Sequence, residues 1–101
     1  MTATVRAATP EDAAVLARLV AGLMADEGKT NAGPNAEQLA CWLAGEAPMV
    51  EVLLAERNSE RDEAAVGYLA FYRAVSLFRP GPVMLVENVY VVRQARGTGV
   101  G

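Results

Sequence analysis

At 101 residues the chain has room for one small domain, and 52% apolar residues are ample for a core and too many for a disordered chain. No apolar stretch reaches the roughly 18 residues that a membrane span requires, and Met1 to Arg6 show no secretory pattern. A net charge of −3 argues against nucleic acid as a partner and permits a cationic small molecule.

Thr4 to Ala8 reads as a short first strand. Thr9-Pro10-Glu11-Asp12 is a helix start: Thr9 can cap, Pro10 suits the first helical position, and the two acids favour the positive end of the helix dipole. Leu16, Leu19, Val20, Leu23 and Met24 recur at helical spacing, so the helix runs to Asp26 or Glu27 and stops at Gly28. Lys29 to Pro34 is a polar loop. Asn35-Ala36-Glu37-Gln38 opens a second helix with a capping box, spanning Ala36 to Leu43 and ending at Gly45. Val50 to Ala55 reads as a strand and Asn58 to Glu63 as a charged turn. Ala65 to Val75 alternates as a long strand, with Val66, Tyr68, Ala70 and Tyr72 on one side. Arg79-Pro80-Gly81-Pro82 is a turn, and Val83 to Val92 is the last strand. Short connections make these three strands an antiparallel meander, which the two preceding helices can cover, giving an α+β layer.

The chain has no histidine, which removes Ser-His-Asp and Cys-His triads and every histidine-containing zinc site; no metal is expected. Any base must be a carboxylate, a tyrosine, a lysine or a water chain. The single cysteine, Cys41, cannot form an internal disulfide, so a reducing cytoplasm is the default location. Within Leu39-Ala40-Cys41-Trp42-Leu43 it reads as a small buried hydrophobe, and Trp42 as a core anchor of its helix.

The last strand empties into Arg96-Gly97-Thr98-Gly99-Val100-Gly101. Glycines let successive backbone N–H groups converge on one anion, and Arg96 adds a positive charge at the mouth. The string alone is equally a plain turn. It is not a Walker loop, because no Gly-Lys-Ser/Thr follows, and the βαβ context of a dinucleotide fingerprint is missing.

Taken together, Gly67-Tyr68-Leu69-Ala70-Phe71-Tyr72, Ser76-Leu77-Phe78, Pro80-Gly81-Pro82 and Val86-Glu87-Asn88-Val89-Tyr90-Val91, closing on Arg96 to Gly101, resemble the GNAT superfamily of acetyl-CoA-dependent N-acetyltransferases. Within it they look most like the spermidine/spermine (diamine) group. Arg6-Ala7-Ala8-Thr9-Pro10-Glu11-Asp12 also looks like the Arg-x-Ala-x-x-x-Asp opening common in that superfamily. The resemblance spans the chain in order, and is specific in the last third.

The resemblance implies a site. The backbone N–H groups of Arg96, Gly97, Thr98, Gly99, Val100 and Gly101 would grip the pyrophosphate of coenzyme A. The preceding strand would bulge and splay, so that the backbone of Val89, Tyr90 and Val91 meets the acetyl and pantetheine groups and supports an oxyanion. Glu87 stands where the diamine group carries a glutamate proposed as general base; otherwise it is a solvated glutamate on an exposed strand face. The family's next residue, an aspartate, is Asn88 here, one anionic contact fewer for a polyamine. Glu27 closes the first helix where a glutamate helps hold the cationic acceptor, and reads equally as a helix-end surface acid. Tyr68 and Tyr72 can line an acceptor channel or simply pack.

The chain matches about the first half of the family pattern and stops after the glycine loop. The expected fold is therefore α+β, the N-terminal half of a GNAT domain: short strand, two helices, three-stranded meander. The usual tyrosine general acid would lie beyond this chain, so none is assigned, and the piece alone is expected to acetylate weakly or not at all. The implied reaction is acetyl transfer from acetyl-CoA to a primary amine, a polyamine or other small cationic amine, by a cytoplasmic enzyme whose full-length form allows a homodimer. The rivals are a non-catalytic CoA-binding or interaction module, and a phosphate loop of an unrelated nucleotide protein.

Overall fold

The structure, a computed structural model, describes residues 3–57 and 65–97. The charged turn expected at Asn58 to Glu63 and the end of the glycine string, Thr98 to Gly101, lie outside the described residues. The elements run β1 (Ala3–Ala7), a 3-10 turn (Pro10–Asp12), α1 (Ala13–Asp26), α2 (Ala36–Leu43), β2 (Glu51–Arg57), β3 (Ala65–Ala74), β4 (Val83–Val91) and a second 3-10 turn (Arg93–Ala95).

The first helix starts differently from expectation. Pro10 leads the first turn and Thr9 is its N-cap, in a capping box with Asp12, but that turn is 3-10. The Thr9 N–H and hydroxyl both donate to Asp12 Oδ2, at 2.7 and 3.3 Å. Asp12 is held in turn by Arg6, whose Nη1 and Nη2 reach its two oxygens at 2.9 and 2.7 Å, while Nε donates to Glu56 at 2.6 Å. The Arg6 guanidinium, first, and the Thr9 N–H hold the Asp12 carboxyl at about 2, and the two carboxylates raise Arg6 in return. The Arg-x-Ala-x-x-x-Asp opening is thus a clamp that fastens the entry of α1 to β1 and β2.

At the other end α1 stops where Gly28 takes φ 71°, a left-handed conformation that glycine adopts without a Cβ penalty. The α2 capping box forms as expected: Gln38 N–H donates to Asn35 Oδ1 at 2.8 Å, and Asn35 N–H to Gln38 Oε1 at 3.0 Å.

The sheet has four strands in the order β1-β2-β3-β4, all antiparallel: the expected three-stranded meander, with the short first strand added at its edge. β1 joins the meander by pairing Val5 with Ala55, so the two helices lie in the connection between neighbouring strands. They cover one face. Leu16 and Leu19 of α1, Leu39 and Leu43 of α2 and Val52, Leu54, Tyr68 and Ala70 of the sheet make a single core there. Leu16, Leu19 and Leu54 are sealed from solvent, each contributing about 2 kcal/mol by removing apolar surface from water.

Three side chains depart from the expected pattern. Val66 is the extra residue where the β2–β3 register shifts at Ala55/Glu56, so it leaves the inner face and packs with Ala55 and Ala95. Cys41 is exposed. Leu39 and Leu43, four apart, define the buried side of α2, and a residue two positions on from Leu39 faces away from it. Trp42 is half-buried at the edge of the core rather than its centre.

Candidate functional site

β3 and β4 pair in register from Ala74 with Val83 to Phe71 with Val86, and again from Ala70 with Asn88 to Gly67 with Val91. Glu87 is the extra residue between the two runs. Such a bulge re-aims side chains, and it brings both Glu87 and Asn88 to the helix-covered face. The signal is visible in the sequence: two adjacent polar residues interrupt an otherwise apolar strand, which strict alternation cannot accommodate.

That face holds a cavity of about 690 Å³ between α1, the loop after it, α2 and the β3–β4 pair. Leu16, Val20, Val52 and Ala70 form its apolar depth, Trp42 and Tyr72 its walls, and Lys29 and Asn31 part of its mouth. Among the described lining residues Glu87 is the one carboxylate and Lys29 the one cationic group. The tyrosines read as channel or packing therefore do line this space, and Trp42 joins them.

Tyr68 is 3% exposed, and its hydroxyl is the one buried side-chain polar atom without a hydrogen-bond partner among the described residues. Burial pushes this phenol up to about 12, helped by the negative charges of Glu27 and Glu87 and by Tyr90. It is neutral at physiological pH and lies within the field of both glutamates. Sequence reading treated it as one aromatic of a strand face; a missing partner for a hydroxyl is a three-dimensional property with no sequence signal.

Glu27 is the C-cap residue of α1 and does not line the cavity. Its carboxylate lies 3.9 Å from Lys29 Nζ, and its charge acts at the site through Tyr68.

The backbone of β4 has a definite parity. Val92 N–H donates to the Val66 carbonyl at 2.8 Å, which makes Gly67–Val91 a non-hydrogen-bonded pair of the antiparallel ladder. The N–H and C=O groups of Val89 and Val91 consequently turn to the open edge of the described sheet. Those of Tyr90 turn inward to Tyr68. Tyr90 thus differs from its expected role as a free backbone donor. Its ring is buried in the core, 6.3 Å from that of Tyr68.

Arg96 is also placed differently. Its Nη2 donates to Asp26 at 2.5 Å, its Nε to the Val91 carbonyl at 2.8 Å, and its guanidinium lies 5.7 Å from the Tyr90 ring centroid. Its own N–H donates to the Arg93 carbonyl at 3.3 Å. The charge expected at the mouth of the glycine string is engaged by Asp26, which Arg93 also approaches at 3.8 Å, and fastens the end of α1 to the sheet edge. The string itself opens with Gly97 at φ 78°; Thr98, Gly99, Val100 and Gly101 are outside the described residues. The described residues hold no cluster of three or more acidic or cysteine side chains able to bind a metal, and no helix long and apolar enough to cross a membrane.

Solved structures share this architecture. An integron cassette protein from the mobile metagenome of Cole Harbour Salt Marsh superimposes with a TM-score of 0.78 at 26% identity, over 96% of this chain and 61% of that one. An aminoglycoside acetyltransferase from an uncultured soil metagenomic sample, solved with sisomicin, gives 0.74 at 19% identity over 98% and 62%. The ribosomal-protein-alanine N-acetyltransferase of Brucella melitensis biovar Abortus 2308 gives 0.72 at 22% identity over 99% and 64%. The chain has a GNAT-like acetyltransferase fold. It spans less than two thirds of the length of these GNAT-like structures. No protein-family model and no curated sequence matches it. Neither named enzyme is a diamine acetyltransferase, so the fold stands and the spermidine/spermine subgroup gains nothing from these relatives.

Proposed function

We propose that the chain is the N-terminal part of an N-acetyltransferase domain that transfers the acetyl group of acetyl-CoA to the primary amine of a small cationic acceptor. The carrying observation is the bulge at Glu87. It turns a carboxylate into a cavity on one face of β4, while the backbone of Val89 and Val91 of the same strand faces the open edge of the described sheet.

Acetyl-CoA, when bound, supplies an activated acetyl group as a thioester. An ammonium has no lone pair to attack with, and Glu87 receives the proton it must lose. Outward N–H groups at Val89 and Val91 suit the acetyl and pantetheine oxygens. The run from Arg96 and Gly97 through Thr98, Gly99, Val100 and Gly101 is assigned the pyrophosphate through its backbone, the Arg96 guanidinium being engaged with Asp26. Glu27, outside the cavity wall and 3.9 Å from Lys29 Nζ, is assigned an indirect part in holding the acceptor. The assigned location is the cytoplasm, where a lone thiol such as Cys41 stays reduced.

The test is release of free CoA, followed with this chain and with the whole open reading frame that contains it. Glu87→Gln is expected to lower kcat/KM about 100-fold, the usual weight of a positioned base, with acetyl-CoA affinity unchanged. Turnover unaffected by the substitution would remove Glu87 from the mechanism.

A further inference from the structure

The acceptor reading of the cavity leaves open which amine fits it, and the cavity wall narrows the choice. A polyamine or an aminoglycoside carries several cations, and each needs a carboxylate or water at the place where it comes to rest. The described wall offers one carboxylate, Glu87, and one opposing cation, Lys29. The remainder is largely aliphatic and aromatic. A second ammonium would rest against Val20 and Met24 or approach Lys29, and neither compensates its lost hydration.

The polar corner is matched to one ammonium. A primary ammonium has three N–H donors. The bulge brings the Glu87 carboxylate, with two acceptor oxygens, and the Asn88 side chain, with a third, to the cavity, while the Tyr68 ring lines it with its hydroxyl closed to solvent.

We propose that the cavity takes a primary monoamine carried on an apolar body, of the alkylamine or arylalkylamine class, with its ammonium shared by Glu87 and Asn88 and its body against Val20, Met24 and Trp42. The proposal rests on the acceptor reading but is tested without acetyl-CoA. Trp42 is the only tryptophan of the chain and lines the cavity, so its emission reports occupancy.

The chain is titrated with 2-phenylethylamine and with spermidine at one ionic strength. The apparent Kd for 2-phenylethylamine is expected to be at least about ten-fold lower. Lys29→Glu, at an exposed position, gives the wall a second acid. It is expected to tighten spermidine about five-fold and to leave 2-phenylethylamine within about two-fold. Equal or tighter binding of spermidine to the unmodified chain, or no saturable response to 2-phenylethylamine, overturns the proposal. Tight 2-phenylethylamine binding with no acetylation of any amine by the whole open reading frame retains the monoamine site and refutes the acetyltransferase reading. Faster acetylation of spermidine than of 2-phenylethylamine does the reverse.

Discussion

Two polar clusters flank the core, and they are built on opposite principles. At the β1–β2 corner Arg6 is matched by Asp12 and Glu56, and each partner is within 2.9 Å. At the β3–β4 bulge Glu87 and Asn88 face a cavity, and the Tyr68 hydroxyl beneath has no hydrogen-bond partner among the described residues. The first cluster is complete in itself and fixes where α1 begins. The second is incomplete, and an incomplete polar cluster over a cavity is what a ligand site requires. Both contain an acid that sequence alone makes conspicuous; satisfaction, visible only in three dimensions, separates them.

The sharpest way to break the comparison is to exchange the consequences. Glu87→Gln is expected to reduce kcat/KM about 100-fold while leaving unfolding free energy within about 0.5 kcal/mol, because the carboxylate is exposed and the fold does not lean on it. Gly67 lies directly across from Val91, and a Cβ there would meet the Tyr90 carbonyl at 2.7 Å. Gly67→Val is therefore expected to cost about 2 kcal/mol in denaturant unfolding by forcing β3 and β4 apart, and acetyl-CoA binding should weaken with it.

Asp12→Asn acts on the complete cluster. It is expected to cost about 1 kcal/mol at pH 7, discounted for the exposure of Arg6, and to leave amine binding unchanged. Asp12 has a folded value of about 2, below its ordinary 3.8. Its stabilisation is complete above about pH 4 and is lost as pH falls through 2, so the variant and the parent should converge there in acid unfolding. A gap that persists below pH 2 would assign the effect to packing rather than charge.

Much of the fold is legible in the residues. The Asn35/Gln38 box and Gly28 set helix limits to the residue, because capping is local chemistry. The β3 and β4 limits agree within one residue, since Ala65, Val83 and the turn at Pro80 to Pro82 mark the change from turn to strand. The pairing of β1 with β2 is not legible, because it joins segments separated by both helices. The site is legible in part. Glu87 and the glycine string carry family resemblance, and the polar pair Glu87-Asn88 marks the bulge. The engagement of Arg96 with Asp26, the inward backbone of Tyr90 and the orphan hydroxyl of Tyr68 depend on ladder parity and long-range packing, which periodicity does not encode.

The claim that the incomplete cluster exists for a ligand is tested most directly by Asn88→Ala, assayed for stability and for amine binding in one preparation. Losing the side-chain carbonyl from the cavity is expected to weaken 2-phenylethylamine binding about five-fold while leaving unfolding free energy within about 1 kcal/mol. Unchanged amine affinity would contradict the account, since Asn88 would then serve the strand alone.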